Sequence, residues 1–126
     1  MDEFRTPLSR VKGLGSAKEG TTHFWRQRLT ALVLTPLLLW FCFSLAAMPV
    51  GHATLVAWIA QPAVAVALIL LIFASFYHAQ LGLQIIIEDY VSTHSTRTIS
   101  IIGMSFLCLL FGIIGVVAVL KIALGT

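Results

Sequence analysis

The sequence predicts an all-α integral membrane protein with three transmembrane helices, N-terminus cytoplasmic and C-terminus periplasmic, and three observations carry that prediction. Of 126 residues, 59% are hydrophobic and only 10% are charged, where soluble domains carry about 25% charge. Three apolar stretches, at 29–48, 63–87 and 99–124, each reach the roughly 20 residues needed to cross a hydrocarbon core of about 30 Å. In lipid every backbone N–H and C=O must be bonded internally, which leaves helices or closed barrels, and long runs without strict alternation choose helices. The third observation is charge placement. Arg5, Arg10, Lys12, Lys18, Arg26 and Arg28 precede the first stretch, while the 49–62 loop has no Lys or Arg. By the positive-inside rule the N-terminus then lies in the cytoplasm, the 88–98 loop with Arg97 lies on the same side, and the C-terminus lies outside. Lys121, near the outer end, snorkels to the interface.

The expected organisation is a basic cytoplasmic segment, 1–22, followed by a three-helix transmembrane anchor domain, 23–126, with spans at about 24–48, 62–88 and 98–124. Segment 1–22 is rich in Gly, Ser and Thr and lacks the apolar core and cleavage site of a signal peptide. Asp2, Glu3 and Glu19 argue against a mitochondrial transit peptide, a class poor in acids. A topology-setting tail and a docking arm for a soluble partner both fit it. The modest net charge of +3 gives no basis for a nucleic-acid partner.

His23-Phe24-Trp25 and Arg26-Gln27-Arg28 mark the inner interface, where aromatic and basic residues anchor a span at headgroup level. Arg28 stands at the mouth of helix one, where a guanidinium can hold a carboxylate or a cofactor propionate in bidentate fashion. Pro36 predicts a kink within that helix, because proline removes one backbone hydrogen bond. In the outer loop His52 and Trp58 read as interfacial residues with no further role. Pro62 suits the first turn of helix two. Helix three has no ionisable group between Ile99 and Leu120 but carries Gly103, Ser105, Gly112, Gly115 and Ala118, small residues that let membrane helices approach closely. Cys42 and Cys108 belong to no metal-ligand or haem-attachment pattern and read as small packing residues.

Residues 78–90, H-A-Q-L-G-L-Q-I-I-I-E-D-Y, concentrate the chemistry. His78 lies at membrane depth, where an ionisable group marks a functional site unless it has a structural partner. At about 100° per residue, its face of the helix also presents Leu71, Ser75, Gly82, Ile85 and Asp89. Ser75 and Gly82 leave a shallow crater that a flat ligand or a neighbouring backbone fits. A structural histidine, a proton-relay member and an axial haem ligand all remain open for His78. Were it one ligand of a bis-histidine haem, the second would come from another subunit, since His23, His52 and His94 lie near or beyond the membrane faces. Glu88 and Asp89 end helix two against its macrodipole, by about 0.3–1 kcal/mol each, and such local conflicts mark functional sites. An ion pair between Asp89 and Arg28, from the same membrane face, is the structural alternative for both.

These residues resemble a known family: the small hydrophobic membrane-anchor subunits of succinate dehydrogenase (succinate:quinone oxidoreductase). The likeness rests on His78-Ala79-x-x-Gly82 followed by Asp89-Tyr90, on Arg28-x-Thr30-Ala31, and on three spans of suitable length. His23-Phe24-Trp25-x-Gln27-Arg28 is similar to the alphaproteobacterial and mitochondria-related branch. The resemblance implies a heterotetramer of a flavoprotein, an iron–sulfur subunit, a cytochrome b anchor subunit and this chain, in a bacterial inner membrane or its mitochondrial counterpart. It implies that His78 is an axial ligand to the iron of haem b, that Arg28 approaches a haem propionate, that Tyr90 hydrogen-bonds ubiquinone and that Asp89 lies beside it. FAD and iron–sulfur clusters would reside in partners only, so the isolated chain would be a non-catalytic anchor. His23 is one place out of register with a histidine found near the propionates in some members. The rival expectations are an anchor of a quinol:fumarate reductase, or a small transporter subunit with His78 in a proton path.

Overall fold

The structure, a computed structural model, describes residues 6–11 and 18–126. Much of the basic segment, at 1–5 and 12–17, lies outside the described residues. The elements in chain order are α1 (Pro7–Val11), α2 (Lys18–Ala47), α3 (His52–Ile59), α4 (Pro62–Tyr90) and α5 (His94–Leu124). Three of them, over Gly20–Ala47, Pro62–Tyr90 and His94–Leu124, are long and apolar enough to cross a membrane. The expected three-span, all-helical architecture is therefore present.

Sequence chemistry explains where these helices begin and end. α4 opens with Pro62 after an extended Gln61, so the missing proline N–H falls where no intrahelical partner exists. The turn into α5 spans only three residues and is tied by Arg97, whose Nε donates to the Val91 carbonyl at 2.8 Å. That side chain thus closes a turn besides adding positive charge. α5 stops at Gly125 in the left-handed region, φ 72. The Gly125 amide bonds the Ile122 carbonyl at 3.2 Å and the Thr126 amide bonds the Lys121 carbonyl at 2.9 Å, the paired closure that a glycine at this position permits. Pro36 is carried inside a continuous α2, with the neighbouring Thr35 hydroxyl donating to the Ala31 carbonyl at 2.8 Å. α2 begins at Lys18, ahead of the apolar run, so its first turns stand proud of the hydrocarbon.

α4 is the central helix. A third of its apolar window (33%) is buried, against 6% for α2 and for α5. The core joins Leu34 of α2 and Val119 of α5 to Val64, Ala65, Leu68, Leu71 and Ala74 of α4. Lipid tails are as apolar as these side chains, so close packing and polar contacts, not exclusion from water, hold the helices together. α5 supplies the close packing through glycine: a Cβ at Gly115 would meet Ile72 at 3.3 Å, and one at Gly112 would meet Phe76 at 3.7 Å. The small residues of the third span thus serve contacts within the chain at these two positions, while Gly103 has no neighbour within 4 Å. Gln80 adds a polar link, its Nε2 donating to Ser105 Oγ at 3.1 Å.

The outer connection holds one element that sequence reading missed. α3 lacks a polar face and a capping side chain, so no local signal separates it from loop. Trp58 has a packing role: its ring stacks on Trp40 at 5.6 Å and lies 6.3 Å from Phe41, which ties α3 through side chains to the C-terminal half of α2, while the helix itself lies against α4 and α5. His52, by contrast, is exposed at the start of α3.

Candidate functional site

α2 and α4 run antiparallel, which brings the N-terminal turns of the first span beside the C-terminal half of the second. His78 on α4 therefore meets Thr30 on α2, with Thr30 Oγ1 2.8 Å from His78 Nδ1. The same hydroxyl oxygen lies 2.9 Å from the Arg26 carbonyl and 2.9 Å from the Gln27 carbonyl. His78 is partly buried, and its Nε2 makes no hydrogen bond among the described residues. The crater beside it opens onto α2, since a Cβ on Gly82 would come 3.9 Å from Gln27 Nε2. Helix-to-helix bonding and ligation are compatible here, because an imidazole has two nitrogens and Thr30 occupies one.

The face of α2 that carries Thr30 also carries Gln27, Arg26 and His23, since these positions recur within about a third of a turn at roughly 100° per residue. With α4 it encloses a polar cleft of about 770 Å³ lined by His23, Arg26, Tyr77, Gln80, Gln84 and Glu88. His23 Nε2 is buried at its edge without a hydrogen-bond partner among the described residues. Arg28 lies on the other side of α2, exposed, with its guanidinium carbon 5.1 Å from the centre of the Phe24 ring. The structure thus brings His78 together with Thr30 and Gln27, and does not bring Arg28 to them. In the sequence Thr30 counts only toward the family likeness, Gln27 toward that likeness and the membrane interface, and Arg26 only toward the interface. A helical wheel of α2 drawn as for α4 groups the three on one face, but does not say which helix that face meets.

At the end of α4, Glu88, Asp89 and Tyr90 are all exposed, Tyr90 by 84%. Gln84 Nε2 donates to Glu88 Oε1 at 2.8 Å, which offsets part of the dipole conflict one turn back. Asp89 and Arg28 form no ion pair among the described residues. His78 and Tyr90 are separated by roughly 18 Å along the helix at about 1.5 Å per residue, so one ligand does not touch both side chains at a single spot. Among the described residues no group of three or more His, Cys, Asp or Glu is placed to hold a metal ion.

Comparison with known proteins identifies the family. The family model described as succinate dehydrogenase/fumarate reductase transmembrane subunit matches residues 2–119. The chain is 34% identical over 117 residues to the succinate dehydrogenase hydrophobic membrane anchor subunit of Rickettsia bellii, covering 92% of this chain and 90% of that one. It is 33% identical over 118 residues to the same subunit of Rickettsia conorii, covering 92% and 94%. Against that of Paracoccus denitrificans it is 31% identical over 102 residues, covering 80% and 79%. No solved structure matches the chain.

Proposed function

The chain belongs to the succinate dehydrogenase/fumarate reductase transmembrane subunit family, and from that membership we propose which residues serve haem and quinone. It is a multi-pass membrane-anchor subunit of a succinate dehydrogenase and associates with the catalytic subunits of that enzyme. Our reading adds a flavoprotein, an iron–sulfur subunit and a cytochrome b anchor subunit as its partners, in a bacterial inner membrane.

The observation that carries the site reading is His78, half-buried at membrane depth with one ring nitrogen on Thr30 and the other uncommitted. A neutral imidazole nitrogen is a standard axial donor to haem iron, and the residues present fit haem b shared between two anchor subunits. His78 would hold the iron from this side, and the partner anchor would supply the second ligand. The family likeness assigns Arg28 to a propionate through a charge-assisted pair; its guanidinium sits over Phe24 on the face of α2 away from Thr30, so that role requires the side chain to swing toward the haem. Bound there, the haem would supply a one-electron redox centre.

Quinone reduction takes two electrons and two protons, so its site needs donors that polarise the carbonyls and a route to water. Tyr90 offers a phenolic O–H to a ubiquinone carbonyl, and Asp89 with Glu88 offers carboxylates at the aqueous edge. Their exposure in the single chain suits a pocket that the iron–sulfur and cytochrome b subunits complete. The N-terminal turns of α2 and the end of α4 share one membrane face, which we assign to the cytoplasm from the basic residues there.

Purification of the intact complex tests the assignment. A flavoprotein and an iron–sulfur subunit are expected to co-purify with a b-type haem spectrum, and His78→Leu is expected to alter or remove that spectrum. An unchanged axial-ligand spectrum in His78→Leu would overturn the haem role.

A further inference from the structure

We infer that Thr30 is a positioning residue that makes His78 a hydrogen-bond donor at Nδ1 and thereby reserves Nε2 as the nitrogen with a free lone pair. This inference rests on the haem-ligand reading above and extends it to a residue that does not itself touch the cofactor.

The inference comes from counting hydrogens around one oxygen. A threonine hydroxyl owns one hydrogen and two acceptor lone pairs. Thr30 Oγ1 has three close neighbours: the Arg26 carbonyl at 2.9 Å, the Gln27 carbonyl at 2.9 Å and His78 Nδ1 at 2.8 Å. The carbonyl oxygens can only accept. If Nδ1 also accepted, it would take the single hydrogen and leave Oγ1 facing two carbonyl oxygens at 2.9 Å with no hydrogen between them. If the hydrogen is directed to the carbonyls, a lone pair of Oγ1 accepts Nδ1–H and every group is satisfied. A neutral imidazole has one N–H, so the ring's lone pair falls on Nε2.

The local structure enforces this polarity. Threonine in a helix bonds back to a carbonyl three or four residues earlier, which directs the hydroxyl hydrogen along α2 and its remaining lone pair away, toward α4. Metal-ligating histidines characteristically donate their other N–H to an acceptor that fixes the ring and raises its basicity. In most such sites that acceptor is a carboxylate, a backbone carbonyl or water. Here it is a hydroxyl, which adds no charge at membrane depth. Gln27 beside Gly82 packs the same α2 face against the histidine's helix and holds the register.

The test uses the assembled complex carrying Thr30→Val or Thr30→Ser, read by haem redox titration and by the electron paramagnetic resonance of the ferric haem. Losing the acceptor on Nδ1–H lowers the donor strength of the imidazole and frees its rotation. Thr30→Val is therefore expected to shift the haem midpoint potential upward and to move the largest g-value, while Thr30→Ser retains both. An unchanged potential and spectrum in Thr30→Val, or an equal shift in Thr30→Ser, overturns the inference. If Thr30→Val does not assemble, Thr30→Ala is read in the same way. His78→Leu in the same preparation separates the two readings: unaltered ligation there removes the haem role, whereas altered ligation there with an unchanged Thr30→Val removes only the role of Thr30.

Discussion

The ring of His78 has two nitrogens, one facing Thr30 of a neighbouring helix and one that the proposed reading gives to a ligand. Tyr90 is the opposite kind of residue. It makes no hydrogen bond among the described residues and is 84% exposed, so its chemistry waits on whatever covers the end of α4. Its substitution separates quinone chemistry from succinate chemistry. Tyr90→Phe removes one hydroxyl and little volume, so succinate oxidation with a soluble dye acceptor should stay near the wild-type rate. Quinone reduction should fall by roughly tenfold or more, the scale of one hydrogen bond to a reacting group at about 1.4 kcal/mol per factor of ten. Equal loss of both activities would remove Tyr90 from the quinone site. His78, Asp89 and Tyr90 stand out in the sequence as candidates because ionisable groups and phenols in or beside a span are conspicuous. The contacts of Thr30 and Gln27 do not, because Thr and Gln in a span are ordinary residues until the facing helix is known.

At the scale of elements, α4 packs on both sides by different means. Toward α5 it seats Ile72 and Phe76 on glycines and adds the Gln80–Ser105 bond; polar links of this kind in membranes average about 0.6 kcal/mol. Toward α2 the contact runs through the core side chains and the Thr30–His78 bond. The 3.3 Å approach at Gly115 makes a graded prediction. Gly115→Ala asks Ile72 to give by tenths of an ångström and should change the thermal midpoint of the purified complex little. Gly115→Leu overpacks the interface by about 1–3 kcal/mol and should lower that midpoint clearly, by several degrees. If the two variants have the same midpoint, α5 does not pack on α4 at this register. The spans themselves were readable from hydropathy, and the short α3 was not. It is apolar, lies in a stretch read as loop, and is held by the stacking of Trp58 on Trp40, a contact between residues far apart in sequence.

For the whole molecule, orientation is the property with the simplest check. Arg26 and Arg28 in the first turns of the first span and the tying Arg97 sit at one end, and the α3 connection and Gly125 sit at the other. In spheroplasts, with Cys42 and Cys108 replaced by alanine, a membrane-impermeant maleimide should label Ala53→Cys and Thr126→Cys but not Ser92→Cys. The reverse pattern would invert the assignment and place Tyr90 at the opposite membrane face. The apolar faces of α2 and α5, with Leu32, Leu39 and Phe43 on one and Phe106, Leu109 and Phe111 on the other, are exposed in the single chain, as suits helices that meet lipid and, on the proposed reading, a neighbouring anchor.

Class, number of spans, the basic end and the candidate site residues of α4 could all be read along the chain. Each follows from transfer of side chains between water and hydrocarbon, which depends on composition along a single helix. Helix packing was needed to learn that α4 is central, that Thr30 meets Nδ1 of His78, that Arg26 rather than Arg28 lines the polar cleft and that Trp58 holds the outer connection. Those facts depend on the rotation and register of one helix against another. In a membrane that register is set by close contacts a few ångströms long, and hydropathy carries no information about them.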